Sequence, residues 1–174
     1  MGHASGGNPH AELPEVFRAS MRNVPSAVAI LTASVGGVDY GMTATAVCSL
    51  AANPPKLLAC VNRASRFGAI LENAGHLAVN FTGAGQAGIA AEFSRASNTH
   101  GTRFTFGEWT RSARGTPLLQ GASAVFDCQI EQITPEATHN VIVLRVLCAG
   151  STASVPLIYW SGAYRHVSAG AQEG

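Results

Sequence analysis

The sequence predicts a mainly β fold: an antiparallel barrel with a few short helices. Three observations predict it. The 174 residues hold about seven to nine short apolar runs with strand character, set apart by turn-forming residues. No regular long helices lie between them, which disfavours a doubly wound parallel sheet. Closing such strands on themselves also removes the exposed edges an open sheet would leave.

The elements follow in order. Residues 1–13 read as a flexible tail, and the opening MGHASGGNPH lacks the apolar stretch of a secretory signal. Pro14 opens a helix whose stripe is Val16, Phe17, Ser20 and Met21, with Arg18 and Arg22 on the other face; Pro25 stops it. Residues 26–34 form a strand, Gly36 and Gly37 a hairpin turn, and residues 40–50 the returning strand. Pro54 and Pro55 break the chain before a buried strand at 56–62. Ser65 is the N-cap of a short helix over 66–73, closed by Gly75. A strand at 76–82 and a helix over 86–93 come next. Residues 94–115 are polar and irregular, anchored by Phe104, Phe106 and Trp109. Across 122–131 the residues alternate: Ala124, Phe126, Cys128 and Ile130 face one way, Asp127, Gln129 and Glu131 the other. Strands at 140–148, 156–160 and 164–167 complete one domain, 14–167, and residues 168–174 form a second flexible tail.

Composition narrows the function. Apolar residues make up 47% and charged residues 12%, which excludes a disordered chain. A net charge of +1 argues against nucleic acid as the main partner, since phosphate backbones call for a basic face. So small a charged fraction gives thin polar cover, so part of the surface is expected against another subunit or a cofactor. Cys48, Cys60, Cys128 and Cys148 lie in apolar stretches without zinc-ligand spacing. They read as small buried hydrophobes of a reducing cytoplasm, and no metal site is expected. No apolar run reaches the ~18 residues of a membrane span.

Four motifs bear on chemistry. Gly83, Gly85 and Gly88 match G-x-G-x-x-G after a strand. The following helix is too short for a dinucleotide fold and no βαβ series surrounds it, so a helix entry is the simpler reading. The run Gly41-Met42-Thr43-Ala44-Thr45-Ala46 alternates small residues and hydroxyls. It suits a tightly packed barrel strand, or a strand against which a flat ligand lies close to backbone. Asn62-Arg63-Ala64-Ser65-Arg66 joins a strand to a helix start, which suits an ordinary cap or a phosphate contact. His139 begins a strand, and no second His stands at metal-ligand spacing.

Together these segments carry a resemblance. GMTATAVCSLAANPPKLLACVNRASR, then LAVNF, Gln86 and Phe93 on a helix, RF before Trp109, GTPLLQGASAVFDCQI, THNVIVLRV and PLIYWSGAYRHV keep one order. In that order they resemble the short-chain flavin reductases, the reductase components of two-component flavin-dependent monooxygenases. The resemblance covers roughly residues 14–167. It implies a split β-barrel homodimer that holds FMN or FAD in a groove near the dimer interface. It implies NADH or NADPH as hydride donor and a partner oxygenase that receives reduced flavin. Flavin contacts carry over to Thr43, Ala44, Thr45 and Ala46, to Cys60, Val61 and Asn62, and to Ser65, Arg66 and Phe67 at the phosphate end. Phe93 falls near the flavin, and Tyr159 and Trp160 near the nicotinamide. His139 would orient the nicotinamide, although Ala137 stands where the family has Gly. A non-catalytic or electron-transfer flavoprotein on the same barrel is the alternative.

Overall fold

The computed structural model describes residues 9–95 and 102–167. Twelve strands and three α-helices lie among them. More strands are present than the sequence predicts because long runs break. The run at 26–34 divides at Val28 into β1 (Ser26–Ala27) and β2 (Ala29–Val35). The Val28 N–H donates to the Leu157 carbonyl, while its own carbonyl accepts from Thr82. The run at 40–50 is also two strands, β3 (Val38–Ala44) and β4 (Val47–Ala52), broken at Thr45 and Ala46.

That second break organises the molecule. With β5 (Pro55–Asn62), β6 (His76–Phe81), β9 (Ala124–Glu136) and β10 (His139–Ser151), the main sheet runs β3-β2-β6-β9-β10-β5-β4. All its pairings are antiparallel. β3 and β4 are its two outer strands, yet only two residues join them. The sheet therefore curls until its edges meet, a split barrel. A second sheet pairs β1 with β11 (Leu157–Trp160) and β12 (Ala163–His166). A hairpin of β7 (Trp109–Arg111) and β8 (Pro117–Leu119) lies outside the barrel.

The barrel interior holds Leu31, Ala59, Val61, Leu77, Val79, Cys128, Ile142 and Leu144, with Phe67 and Leu71 closing one end. A second cluster, Ile30, Phe93, Leu119 and Ala122, sits on the outer face of β2. Both faces of β2 are thus buried, which is why its sequence is a continuous apolar run. Fully buried Asn80 fastens the β7–β8 hairpin to this face. Its amide donates to the Ile30 carbonyl at 2.9 Å and to Thr32 Oγ1 at 3.2 Å, and its Oδ1 accepts from the Leu119 N–H at 2.8 Å. The same cover buries Asp127 on the face that the alternation assigns to it. It is 3% exposed beneath the hairpin, with Arg114 3.4 Å from Oδ2 and no hydrogen-bond partner for Oδ1.

Other differences have local causes. Helix α1 runs Pro9–Met21 and contains Pro14 rather than starting there. Proline removes one backbone donor, and the turn before it still forms. The apolar stripe of α1 lies open in the single chain, with Phe17 61% exposed. Cys48 and Cys148 are exposed rather than buried, because β4 is an outer strand and β10 runs beyond its pairing with β5. Phe106 is also largely exposed and offers its carbonyl to the Trp109 indole, whereas Phe104 and Trp109 do anchor the region. Residues 1–8 and 168–174, read as tails, lie outside the described residues.

Candidate functional site: two clefts beside the β3–β4 break

The break between β3 and β4 lies beside two clefts: Thr43 lines one and Thr45 the other. The hairpin turn at Gly36 and Gly37, both at positive φ, sets the register of β2 against β3. That register places Gly41 over Phe93. A Cβ at position 41 would lie 2.4 Å from the Phe93 ring, so only glycine allows β3 to approach it. Phe93 belongs to helix α3 (Ala87–Ser94) and is packed edge-on against Phe104, centroids 5.2 Å apart. Thr43 Oγ1 donates to the Ala90 carbonyl of the same helix at 2.6 Å.

The first cleft has a volume of about 300 Å³. Gly41, Met42 and Thr43 form one wall. The opposite wall is residues 64–67, leading into helix α2 (Arg66–Ile70), with the end of α3 and Arg103 completing it. Ser65 is the predicted N-cap: its Oγ accepts from the Gly68 N–H at 2.9 Å and donates to the Asn62 carbonyl at 2.6 Å. Its proton is thereby committed, and Arg66, the next residue, lines the cleft. Gly68 is required here, since a Cβ would meet the Asn62 carbonyl at 2.3 Å. Arg66, Arg95 and Arg103 line the cleft and, among the described residues, no carboxylate does, which favours an anion. Arg95 pairs with Glu92 at 2.7 Å. Arg103 donates to the carbonyls of Phe93 and Arg95, steadying the end of α3.

The second cleft, about 340 Å³, lies between α1 and the β11–β12 hairpin. Thr45, Tyr159 and Trp160 line it with Phe17, Arg18 and Arg22. The Trp160 indole donates to the Asn23 carbonyl at 3.2 Å and the Ser161 N–H to the Arg22 carbonyl at 2.9 Å. These two bonds tie the end of the helix to the aromatic hairpin. Tyr159 stacks edge-on against Tyr164, whose burial raises its phenol pKa.

The predicted site residues thus divide. Thr43, Ser65, Arg66, Phe67 and Phe93 share the first cleft, while Thr45, Tyr159 and Trp160 share the second. Ala44 and Val61 are core side chains, so any ligand contact from them is through backbone. Ala46 accepts the Cys60 N–H at 2.9 Å, and Asn62 Oδ1 accepts that of Ala64 at 2.9 Å. His139 lines neither cleft. It stands at the barrel rim directly across from Asn62, exposed, with Nδ1 2.9 Å from Thr138 Oγ1. Arg63 buttresses this corner: its N–H donates to the Thr138 carbonyl at 3.0 Å. Ala137, where the family has Gly, keeps a glycine-like backbone at φ +47°.

Sequence reasoning missed Arg95 and Arg103 in the first cleft and Arg18 and Arg22 in the second. The helical spacing that sent Arg18 and Arg22 to solvent was correct, but gave no hint that the hairpin at 157–166 would lie beside them. The chain offers no evident nucleophile here. The buried Cys128 thiol is pushed up to about 12, by desolvation first and the Asp127 charge second, and stays protonated. Among the described residues no group of three His, Cys, Asp or Glu could hold a metal ion, and no helix is long and apolar enough to cross a membrane.

Comparisons with known proteins agree with this geometry. The model of the flavin reductase like domain matches residues 21–168. The chain is 37% identical over 133 residues to the FMN reductase (NADH) RutF of Cronobacter sakazakii, covering 76% of this chain and 80% of that one. Among solved structures it is similar to BorF, the flavin reductase component of a bacterial two-component tryptophan halogenase. There the TM-score is 0.80 at 28% identity, over 88% of this chain and 98% of that one. It is also similar to the NADH:FAD oxidoreductase SgcE6 of Streptomyces globisporus, solved with NAD and FAD fragments. That match has TM-score 0.84 at 25% identity, over 97% and 99% of the two chains.

Proposed function

The chain belongs to the flavin reductase like domain family, and from that premise we propose that it is an NADH-dependent FMN reductase whose reduced flavin serves a partner oxygenase. One observation carries the reading. A single backbone segment, residues 43–46, borders both a cation-lined cleft and an aromatic cleft. A flavin whose phosphate end lies in the first cleft would run along that segment toward the second, where its ring could meet a nicotinamide directly.

The residues present fit a flavin. A cleft of about 300 Å³ is at the lower end of ordinary small-molecule sites. Its three guanidiniums match a phosphate, and the Gly41–Thr43 segment forms a wall along which a ligand can lie. Bound flavin would supply the hydride-accepting chemistry, which the side chains do not have. The protein contributes placement. Arg66 holds the phosphate end, Phe93 fixes the β3 wall, and Tyr159 and Trp160 border the nicotinamide. His139, at the rim and outside both clefts in the single chain, is the proposed partner of the carboxamide through Nε2, since Thr138 already engages Nδ1. Holding both rings at reacting distance replaces a bimolecular encounter, the main source of acceleration available without a nucleophile.

FMN and NADH are favoured by the name of the 37% identical relative. Exposed Leu13 and Val16 on α1, with Leu50 and Leu147 on the barrel, support a homodimer that covers them. The test is steady-state oxidation of NADH and NADPH with FMN, FAD and riboflavin, using wild type and Arg66→Ala. Turnover is expected with NADH and FMN. Arg66→Ala should weaken FMN about ten- to a hundredfold, from a charge-assisted contact of roughly 1.5–3 kcal/mol, and leave riboflavin unchanged. No turnover with any pair overturns the proposal. An equal loss for riboflavin would make Arg66 structural.

A further inference from the structure

Arg18, in the last turn of α1, and Arg22, just past its end, stand one turn apart and line the cleft that Tyr159, Trp160 and Thr45 share. Neither guanidinium has an ion-pair partner among the described residues, in contrast to Arg95, Arg111, Arg114 and Arg145, each paired with a carboxylate. Among the described residues no acidic residue lines the cleft. The backbone that carries the two cations is held in place. The bonds from Trp160 and Ser161 to the carbonyls of Asn23 and Arg22 fix the helix end against the hairpin. Two uncompensated guanidiniums beside two aromatic rings form a site for a ligand with a flat ring and a phosphate ester close to it.

We infer that Arg18 and Arg22 bind the phosphates of the pyridine nucleotide while its ring lies along Tyr159 and Trp160 toward Thr45. This rests on the proposed NADH oxidation and adds the residues that select a phosphorylated donor. Phosphate could also arrive on the flavin, but the flavin's phosphate end has its own guanidiniums across the β3–β4 break. The site therefore commits to the hydride donor. A guanidinium on phosphate is a directional, charge-assisted contact, so both residues act on binding rather than on the reacting atoms.

The test compares NADH with a phosphate-free hydride donor, N-benzyl-1,4-dihydronicotinamide. Wild type, Arg18→Gln, Arg22→Gln and the double variant are assayed with FMN and with riboflavin. Glutamine keeps helix propensity and removes the charge. Each single variant should raise KM for NADH about tenfold, the double variant more, with kcat and KM for FMN within about twofold. The phosphate-free donor should not distinguish the variants from wild type. In wild type, raising salt should raise KM for NADH and leave that for the phosphate-free donor flat, a reading that needs no substitution. An unchanged KM for NADH in the double variant overturns the inference, as does an equal loss with the phosphate-free donor. Wild type that oxidises neither donor would overturn the reductase reading itself, and this inference with it.

Discussion

The hairpin joining β9 to β10 offers a clean test, because its strain is confined to one residue. Its two loop residues are Ala137 and Thr138, between the paired Glu136 and His139. Ala137 sits at φ +47°. For an L-residue with a Cβ this left-handed conformation costs about 1–2 kcal/mol, and glycine avoids the penalty. The Ala137 methyl is exposed, so removing it sacrifices no packing. The carbonyls of both loop residues face Arg63, at 3.5 Å from Ala137 and 3.0 Å from Thr138, and glycine keeps both. Against the relief stands the larger entropy of an unfolded glycine, about 0.4–1 kcal/mol. The net expectation for Ala137→Gly is a stabilisation of about 0.5–1 kcal/mol. For a chain of this length that is a rise of about 1–4 °C in Tm. Differential scanning calorimetry measures it, with urea titration as a check that the slope is unchanged. A Tm equal to or below wild type would refute the argument and mean that the alanine is unstrained. The flavin clefts are built from other strands, so FMN affinity should stay the same.

Three other outcomes follow from the same geometry. Gly41→Ala forces a methyl onto a Phe93 ring locked by Phe104 and Trp109. It should cost about 1–3 kcal/mol and weaken flavin in a fluorescence titration; unchanged stability and affinity would show that the ring yields. His139→Ala should lower kcat/KM for NADH about three- to tenfold, the worth of one neutral hydrogen bond. Flavin affinity and Tm should hold, and loss of flavin instead would make His139 structural. The Cys128 thiol is raised from 9.0 to about 12, so its contribution is complete below pH 9 and is lost as pH climbs from 9 toward 12. At 1.36 kcal/mol per unit the loss is on the order of 4 kcal/mol. Denaturant titrations across that range should fall more steeply for wild type than for Cys128→Ala, and equal slopes would refute it.

Local chemistry made much of this protein legible in its sequence. Gly36-Gly37 fixed a hairpin because both positions of this two-residue turn take positive φ, which glycine adopts without strain. Ser65 marked a helix start because its hydroxyl satisfies a first-turn N–H. The ordered motifs from GMTATA to the PLIYW strand identified the family, and with it the barrel and the two ligand chemistries. The sequence could not show that residues 40–50 split between opposite edges of one sheet. That break follows from curling, and curling depends on pairings as distant as β3 with β2 and β5 with β10. Nor could it bury Asp127, because alternation along β9 reports which residues share a face and not what covers that face. Arg18 and Arg22 show the same limit. Helical period placed them together on one side of α1, but only the fold brings Trp160 beside them, from residues more than a hundred positions away whose approach no local propensity encodes.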